Sequence, residues 1–268
     1  MLKLSKKDSY DLLILIIIVV IVLIAGHRGF FDNLHHFTGI TFTLAIFGLP
    51  TLYLLFRKPE NIQKALWAGF LFGILFGIPF EFMAMYSKAW IINPSYLLFS
   101  GTIFGVVSLD EVIWYFLWTA FAITFYEHFI EHDKKWTVSP HIYKGILFAL
   151  FMNMIVFSIF HFAPQFLLIR HAYFILGICA IVPMFWLLNI HPKLFLKFVP
   201  ITLFFAPIYL GHDIVAIEKG WWSFTGTYVF GGLNIMGHLL PLEEILFWIV
   251  LGSAVMASYH EIFLDDRK

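Results

Sequence analysis

The sequence predicts an all-α, polytopic membrane protein of about eight transmembrane helices, arranged as two parallel repeats of four helices. Of its 268 residues, 61% are hydrophobic and only 13% are charged, whereas soluble domains carry about 25% charged residues. Apolar runs recur along the chain, and many have the length that crosses a hydrocarbon layer of ~30 Å. Matching residues also recur at about half the chain length, which indicates an internal duplication.

The distribution of basic residues supports eight spans. With a cytoplasmic N-terminus, thirteen lysines and arginines fall on the cytoplasmic side and four on the outer side. Cytoplasmic loops of membrane proteins carry such an excess of basic residues. We therefore expect a multi-pass protein of the cell (plasma) membrane with both termini in the cytoplasm. The predicted spans are 11–25, 37–56, 64–82, 109–130, 142–161, 171–189, 194–211 and 240–260.

The two predicted repeats are residues 1–134 and 135–268. Residues of similar chemistry recur at an offset of 132 or 133 positions. Four spans per repeat is an even number, so both repeats have the same orientation and are related by an axis along the membrane normal. Equivalent acidic residues then lie at the same depth. The matched pairs include Lys64 with Lys197, Glu81 with Asp213, Trp90 with Trp222, and Glu111 with Glu244.

Two adjacent acids begin the last predicted span of each repeat, in segments 108–115 and 241–248. Their simplest role is to cap a helix and complement its dipole. However, a carboxylate at membrane depth is costly unless it is paired, protonated or next to a wet cavity. In a dry site one carboxyl group of a pair can keep its proton and act as a general acid while the other is ionised. The candidate catalytic residues are Glu243, Glu244, Asp110 and Glu111.

Aromatic residues accompany the acids. Trp90 and Trp222 lie in the connections ahead of the two acidic segments, each with eight residues between it and a preceding acid. Interfacial tryptophans commonly anchor a protein in the membrane, which is the alternative explanation for either one. Glycines in both connections are expected to interrupt a continuous helix. On the helical faces that follow the acids come Trp114, Phe247 and Trp248.

This order of residues resembles the membrane-integral lycopene cyclase domain family, the flavin-independent type whose two domains occur as separate subunits or fused in one chain. The resemblance rests on the acid-to-Trp spacing, on Asn93 with the proline after it, and on segment 240–247. It covers residues of about 37–130 and 171–260, so this chain is similar to the fused form. The first half departs from the family pattern, because Ser108 replaces a proline and an aspartate replaces the usual first glutamate.

The resemblance implies a lycopene cyclase, an isomerase of the intramolecular lyase type, which forms a β-type ring at the end of a linear carotenoid. A proton adds to the terminal double bond, the cation closes onto an internal double bond, and the ring cation loses a proton. This reaction needs an acid, a base and aromatic rings that stabilise a cation, and it needs no cofactor. The implied substrate-binding residues are Trp90, Trp114, Trp222, Trp248, Phe247, Glu81, Asp213 and Asn93.

The expected partners are a linear carotenoid such as lycopene, the lipid bilayer and other enzymes of carotenoid biosynthesis. The net charge of zero gives no reason to expect nucleic acid. No Gly-x-Gly-x-x-Gly follows a strand pattern, so we predict no flavin or nicotinamide cofactor. We also predict no metal. His128 and His132 have the i, i+4 spacing of metal ligands, but we interpret them as part of a solvated helix end.

Two other functions stay open. A transporter or carotenoid-binding protein with parallel repeats would use the same acids as a proton relay. A more remote alternative is an intramembrane glutamate protease, suggested by His161 four residues after Phe157 and by the adjacent glutamates of segment 241–248. That family requires an arginine four residues after the second glutamate, where this chain has Trp248.

Overall fold

The computed structural model describes residues 5–99, 101–131 and 137–265, and most of them are helical. Six helices are long and apolar enough to cross a membrane, and a bent pair of helical segments is a seventh candidate. The coarse prediction of a helical multi-pass membrane protein agrees with these helices. The longer helices are α1 (Lys6–His27), α2 (Thr38–Arg57), α3 (Pro59–Tyr86), α4 (Leu109–Phe125, continued as a π-helix over Tyr126–Ile130), α5 (Ile142–Phe162), α6 (Ala172–Ile190), α7 (Pro192–Glu218) and α8 (Glu244–Val250 with Gly252–Phe263).

Helix α4 is the centre of the bundle. It packs against α2, α3, α7 and α8, and its residues 118–125 are all buried. It is not among the six candidate spans, although with its π-helical continuation it coincides with the predicted span 109–130. Helix α8 bends by 50° between its two segments, and its first segment, which starts at Glu244, is π-helical. Local π-helical turns often occur at functional sites.

Short strands join the helices at one end of the bundle, called here the strand end. Strand β1 follows α3 and pairs antiparallel with β4, which follows α7. The other four strands form two hairpins, one directly before α4 and one directly before α8. The strands are β1 (Trp90–Ile92), β2 (Thr102–Ile103), β3 (Val107–Ser108), β4 (Trp222–Phe224), β5 (Gly232–Ile235) and β6 (His238–Pro241).

Both hairpins turn through a pair of residues with left-handed backbone. In the first hairpin these are Phe104 and Gly105, and in the second they are Met236 and Gly237. Two successive residues with positive φ match the right-handed twist of hairpin strands, and glycine adopts this conformation without steric cost. The glycines in the two connections therefore serve tight turns, as their helix-breaking character suggested.

Buried ion pairs hold the opposite end of the bundle together. Lys64 of α3 donates to Glu127 of α4 at 2.9 Å, and His260 of α8 contacts the same carboxylate at 2.7 Å. The prediction that His128 belongs to a solvated helix end is wrong. Its side chain is 2% exposed, and its Nε2 lies 3.1 Å from Asp11 on α1, because α1 packs over this end of α4. The other histidine of that predicted pair, at position 132, lies outside the described residues.

The close approach of α3 to α4 yields a first testable prediction. A Cβ atom at Gly73 would lie 2.6 Å from the backbone oxygen of Tyr115 on α4. Gly73→Ala should therefore push the two helices apart and destabilise the fold by about 1–3 kcal/mol. Thermal unfolding of the purified protein in detergent measures this loss.

The control is Gly48→Ala on α2, where the nearest atom, on Leu44, lies 3.7 Å from the added Cβ. There alanine should be neutral or slightly stabilising, because it favours a helix more than glycine by about 1 kcal/mol. An unchanged melting temperature for Gly73→Ala would contradict the packing of α3 against α4.

A candidate acid site between the helices

A cavity of about 140 Å³ lies inside the bundle, next to the strand end. Helices α2, α3, α4, α6, α7 and α8 contribute to its wall, together with β1 and β4. Most of the lining side chains are aromatic or aliphatic, and the acids among them stand out by contrast. The cavity-lining acids are Glu81, Asp110, Glu111, Asp213 and Glu244.

The first pair of facing carboxyl groups joins α3 to α4. Glu81 and Glu111 are both buried, and both line the cavity. The Tyr115 hydroxyl donates to Glu81 Oε2 at 2.7 Å. Ser108 caps α4, because its hydroxyl accepts from the Glu111 N–H at 3.2 Å, so the predicted capping box is present. Two carboxyl groups buried in one apolar cavity are costly to ionise together, so such a pair is suited to hold a proton.

The second pair joins α7 to α8 in the same way. Asp213 and Glu244 are buried, and both line the cavity. The Tyr173 hydroxyl of α6 donates to Glu244 Oε2. This pair is suited to hold a proton for the same reason as the first. The cavity therefore contains two acid pairs. In each pair one acid lies near the end of the helix before β1 or β4 (α3 or α7), and the other lies at the start of the helix after a hairpin (α4 or α8).

The other two predicted catalytic acids bind loop backbone. Asp110 accepts from the consecutive N–H groups of residues 98–99 at 3.0 and 2.9 Å, one with each carboxylate oxygen. Glu243 is fully buried and accepts from the N–H groups of residues 229–230 through a single oxygen, Oε1. Asp110 also lines the cavity, whereas Glu243 does not. Both acids hold the loop that leads into a hairpin.

Aromatic rings from distant parts of the chain surround the acid pairs. Trp90 meets Trp222 edge to face with centroids 6.1 Å apart, which follows from the β1–β4 pairing. Trp114 stacks on Trp118 at 5.4 Å. Trp248 lies 6.1 Å from the Tyr173 ring, close to the second pair. Four predicted substrate-binding tryptophans thus line one cavity.

Asn93 and Phe247 lie outside the cavity wall. The Asn93 side-chain nitrogen donates to the Gly220 carbonyl at 3.3 Å, so it joins the two connections next to β1 and β4. Phe247 is buried against α6, where it lies so close to Gly177 that no Cβ would fit there. The two residues therefore make packing and hydrogen-bond contacts outside the cavity wall and do not line the cavity.

Among the cavity residues that were not predicted from the sequence, Tyr115, Tyr173 and His212 contact the acids. The two tyrosines supply the hydroxyl donors of the acid pairs. His212 immediately precedes Asp213, and a histidine next to an acid within an apolar run is a signal that could have identified it. Tyr173 has no such signal, because its acid partner lies 71 positions further along the chain.

Comparison with protein-family models, with curated proteins and with solved structures finds no match for this chain. The chemistry of the cavity is therefore the basis for a functional proposal.

Tyr228 secures the connection after β4. Burial raises the pKa of its phenol, so the hydroxyl stays a hydrogen-bond donor. It donates to the Ala89 carbonyl, directly before β1. This bond and the β1–β4 pairing fix Trp90 and Trp222 relative to each other, so the aromatic wall at this end is rigid.

Potential metal ligands cluster only away from the cavity in the described ranges, at the opposite end of the bundle. In one cluster Asp11 is already bonded to Arg57 at 2.8 Å and to the Tyr53 hydroxyl at 2.7 Å. The predicted absence of a metal stays a prediction. The two clusters, each with ligand atoms within 4.8 Å of one another, are Asp8 with Asp11 and His128, and Glu131 with Glu261 and Asp265.

Proposed function

We propose that this protein is a lycopene cyclase, which forms a β-type ring at the end of a linear carotenoid by redox-neutral, proton-initiated cyclisation. The observation that supports the proposal most directly is the presence of two pairs of buried acids, Glu81 with Glu111 and Asp213 with Glu244, in the wall of one aromatic cavity. A protonated acid and a carboxylate are the two groups that the reaction requires. The reaction consumes no oxidant or reductant, because the substrate and product are isomers.

In the proposed reaction a carboxylic acid protonates the terminal double bond of the polyene. The resulting tertiary cation is attacked by the π electrons of an internal double bond, which closes a six-membered ring and moves the charge to a ring carbon. A carboxylate then removes a neighbouring proton, and a ring double bond forms. Tryptophan faces such as those of Trp114, Trp222 and Trp248 stabilise a passing cation when it lies within about 6 Å of a ring centroid.

We further propose that residues 1–134 and 135–268 are two parallel repeats within an eight-span bundle. Equivalent features of the two halves support this. Each acidic segment follows a hairpin whose turn has two left-handed residues. Asp110 and Glu243 bind equivalent pairs of loop N–H groups. The basic-residue asymmetry supports the further proposal that both termini are cytoplasmic and that the strand end faces the outer side of the plasma membrane.

Pigment analysis of lycopene-accumulating cells that express this chain tests the proposal. We expect chromatography to show a monocyclic or bicyclic carotenoid, and the ratio of the two products would report how many ends are cyclised. Unchanged lycopene in cells whose membranes contain the folded protein would contradict the proposal. Movement of a solute into liposomes, without any conversion of lycopene, would favour the transporter instead.

A further inference from the structure

His212 is a buried histidine of the cavity wall that the proposed reaction does not itself use. It lies on α7, and its side chain is 2% exposed. Its ring packs on Phe42 of α2 at 5.4 Å and on Trp222 of β4 at 5.1 Å between centroids. Contacts from both halves of the chain therefore fix its position and leave it little rotational freedom.

Trp114 determines which nitrogen of His212 carries a hydrogen. The indole N–H of Trp114 donates to His212 Nε2 at 3.2 Å. An indole nitrogen is a donor only, so Nε2 must be the acceptor and cannot carry a hydrogen itself. The hydrogen of the imidazole ring is then on Nδ1, which lies 3.4 Å from Asp213 Oδ1. His212 thus presents an N–H group to Asp213.

This N–H group distinguishes the two members of the second acid pair. Asp213 and Glu244 line the same cavity, and a donor that reaches one carboxylate stabilises the charged form of that group. Glu244 accepts from the Tyr173 hydroxyl through Oε2. That bond is compatible with a protonated Glu244, because its other oxygen can carry the hydrogen that points to Asp213.

We infer that His212 is a positioning residue that holds the proton of the second pair on Glu244 and thereby makes Glu244 the proton donor of the cavity. The first pair has no equivalent histidine, since Phe80 occupies the position before Glu81. The location of the proton is a property of the protein alone. Only the donor role rests on the proposed cyclase function.

Infrared spectroscopy of the purified, reconstituted protein without substrate tests the location of the proton. Protonated carboxylic acids have a carbonyl-stretching band that ionised carboxylates lack. We expect Glu244→Gln to remove one such band, and Asp213→Asn to shift it without removing it. His212→Phe, which keeps an aromatic ring but removes the N–H donor, should shift the same band. His212→Gln can still donate to Asp213 and should restore the band.

Trp114→Phe is a second variant in case His212→Phe does not fold. It keeps an aromatic ring but frees the histidine to place its hydrogen on the other nitrogen, so the same band should shift. His238→Phe, at the exposed start of β6, is the control and should leave the spectrum unchanged. Loss of the band in Asp213→Asn, or an unshifted band in both His212→Phe and Trp114→Phe, would overturn the inference.

Kinetics then separate this inference from the proposed function. If the protein cyclises lycopene, His212→Phe should lower kcat about tenfold, a modest part of what general-acid catalysis contributes, with little change in KM. His212→Gln should recover most of the loss. Infrared shifts as expected in a protein without cyclase activity would support the proton location and reject the function. Cyclase activity with no infrared shift would support the function and reject the proton location.

Discussion

Glu244→Gln is expected to abolish ring formation while the protein stays folded. Glutamine has nearly the same shape as glutamate, but it cannot give a proton to the substrate. Acid–base groups typically contribute about 10²–10⁴-fold to a rate, so we expect a loss of at least ~100-fold. Chromatography of the cyclised product, normalised to the amount of folded protein in the membrane, measures this loss.

The neighbouring residue offers a matched control. Glu243 receives both of its loop N–H groups on the single oxygen Oε1, and the amide oxygen of a glutamine can accept the same two bonds. We therefore expect Glu243→Gln to retain most of the activity. A fully active Glu244→Gln variant would refute the assignment of this acid, and equal losses in both variants would point to a folding defect instead.

Glu111→Gln is expected to have the second largest effect, a loss of activity of at least about tenfold. This substitution leaves Glu81 as the only ionisable member of the first acid pair, so that pair no longer has both an acid and a base. Asp110→Asn should cost less activity and more stability. Asp110 uses both carboxylate oxygens to hold residues 98–99, and an asparagine keeps only one acceptor oxygen.

The unsatisfied loop N–H in Asp110→Asn should lower the stability by about 1–3 kcal/mol. Measurements of product formation and of the melting temperature on the same preparations separate the two effects. If Asp110→Asn lost more activity than Glu111→Gln at equal amounts of folded protein, Asp110 rather than Glu111 would be the acid that reacts.

Much of the architecture could be predicted because it depends on strong local signals. Apolar runs of about 20 residues identify helices in a membrane protein. The recurrence of Glu111 as Glu244 and of Trp90 as Trp222 predicted that these residues surround one cavity, and all four line it. The β1–β4 pairing brings the two tryptophans together.

The roles of adjacent acids could not be predicted. Neighbouring residues on a helix point about 100° apart, and α4 and α8 are apolar on all sides, so no periodicity shows which acid faces inward. Only the fold shows that Glu244 enters the cavity while Glu243 turns toward a loop. Tyr173 was missed for a related reason, since its acid partner comes from a distant helix and leaves no spacing in the sequence.

The two halves of the chain contact each other at both ends of the bundle, and these contacts limit how the cavity can open. At the strand end β1 pairs with β4, and at the other end His260 of α8 contacts the Glu127–Lys64 ion pair of α4 and α3. A carrier that exposes its site alternately to two sides must rock one half against the other. Here that motion would break either the β1–β4 pairing or the buried contact of His260 with Glu127. These contacts suit the bundle to keep one shape around its cavity, rather than to open alternately to two sides.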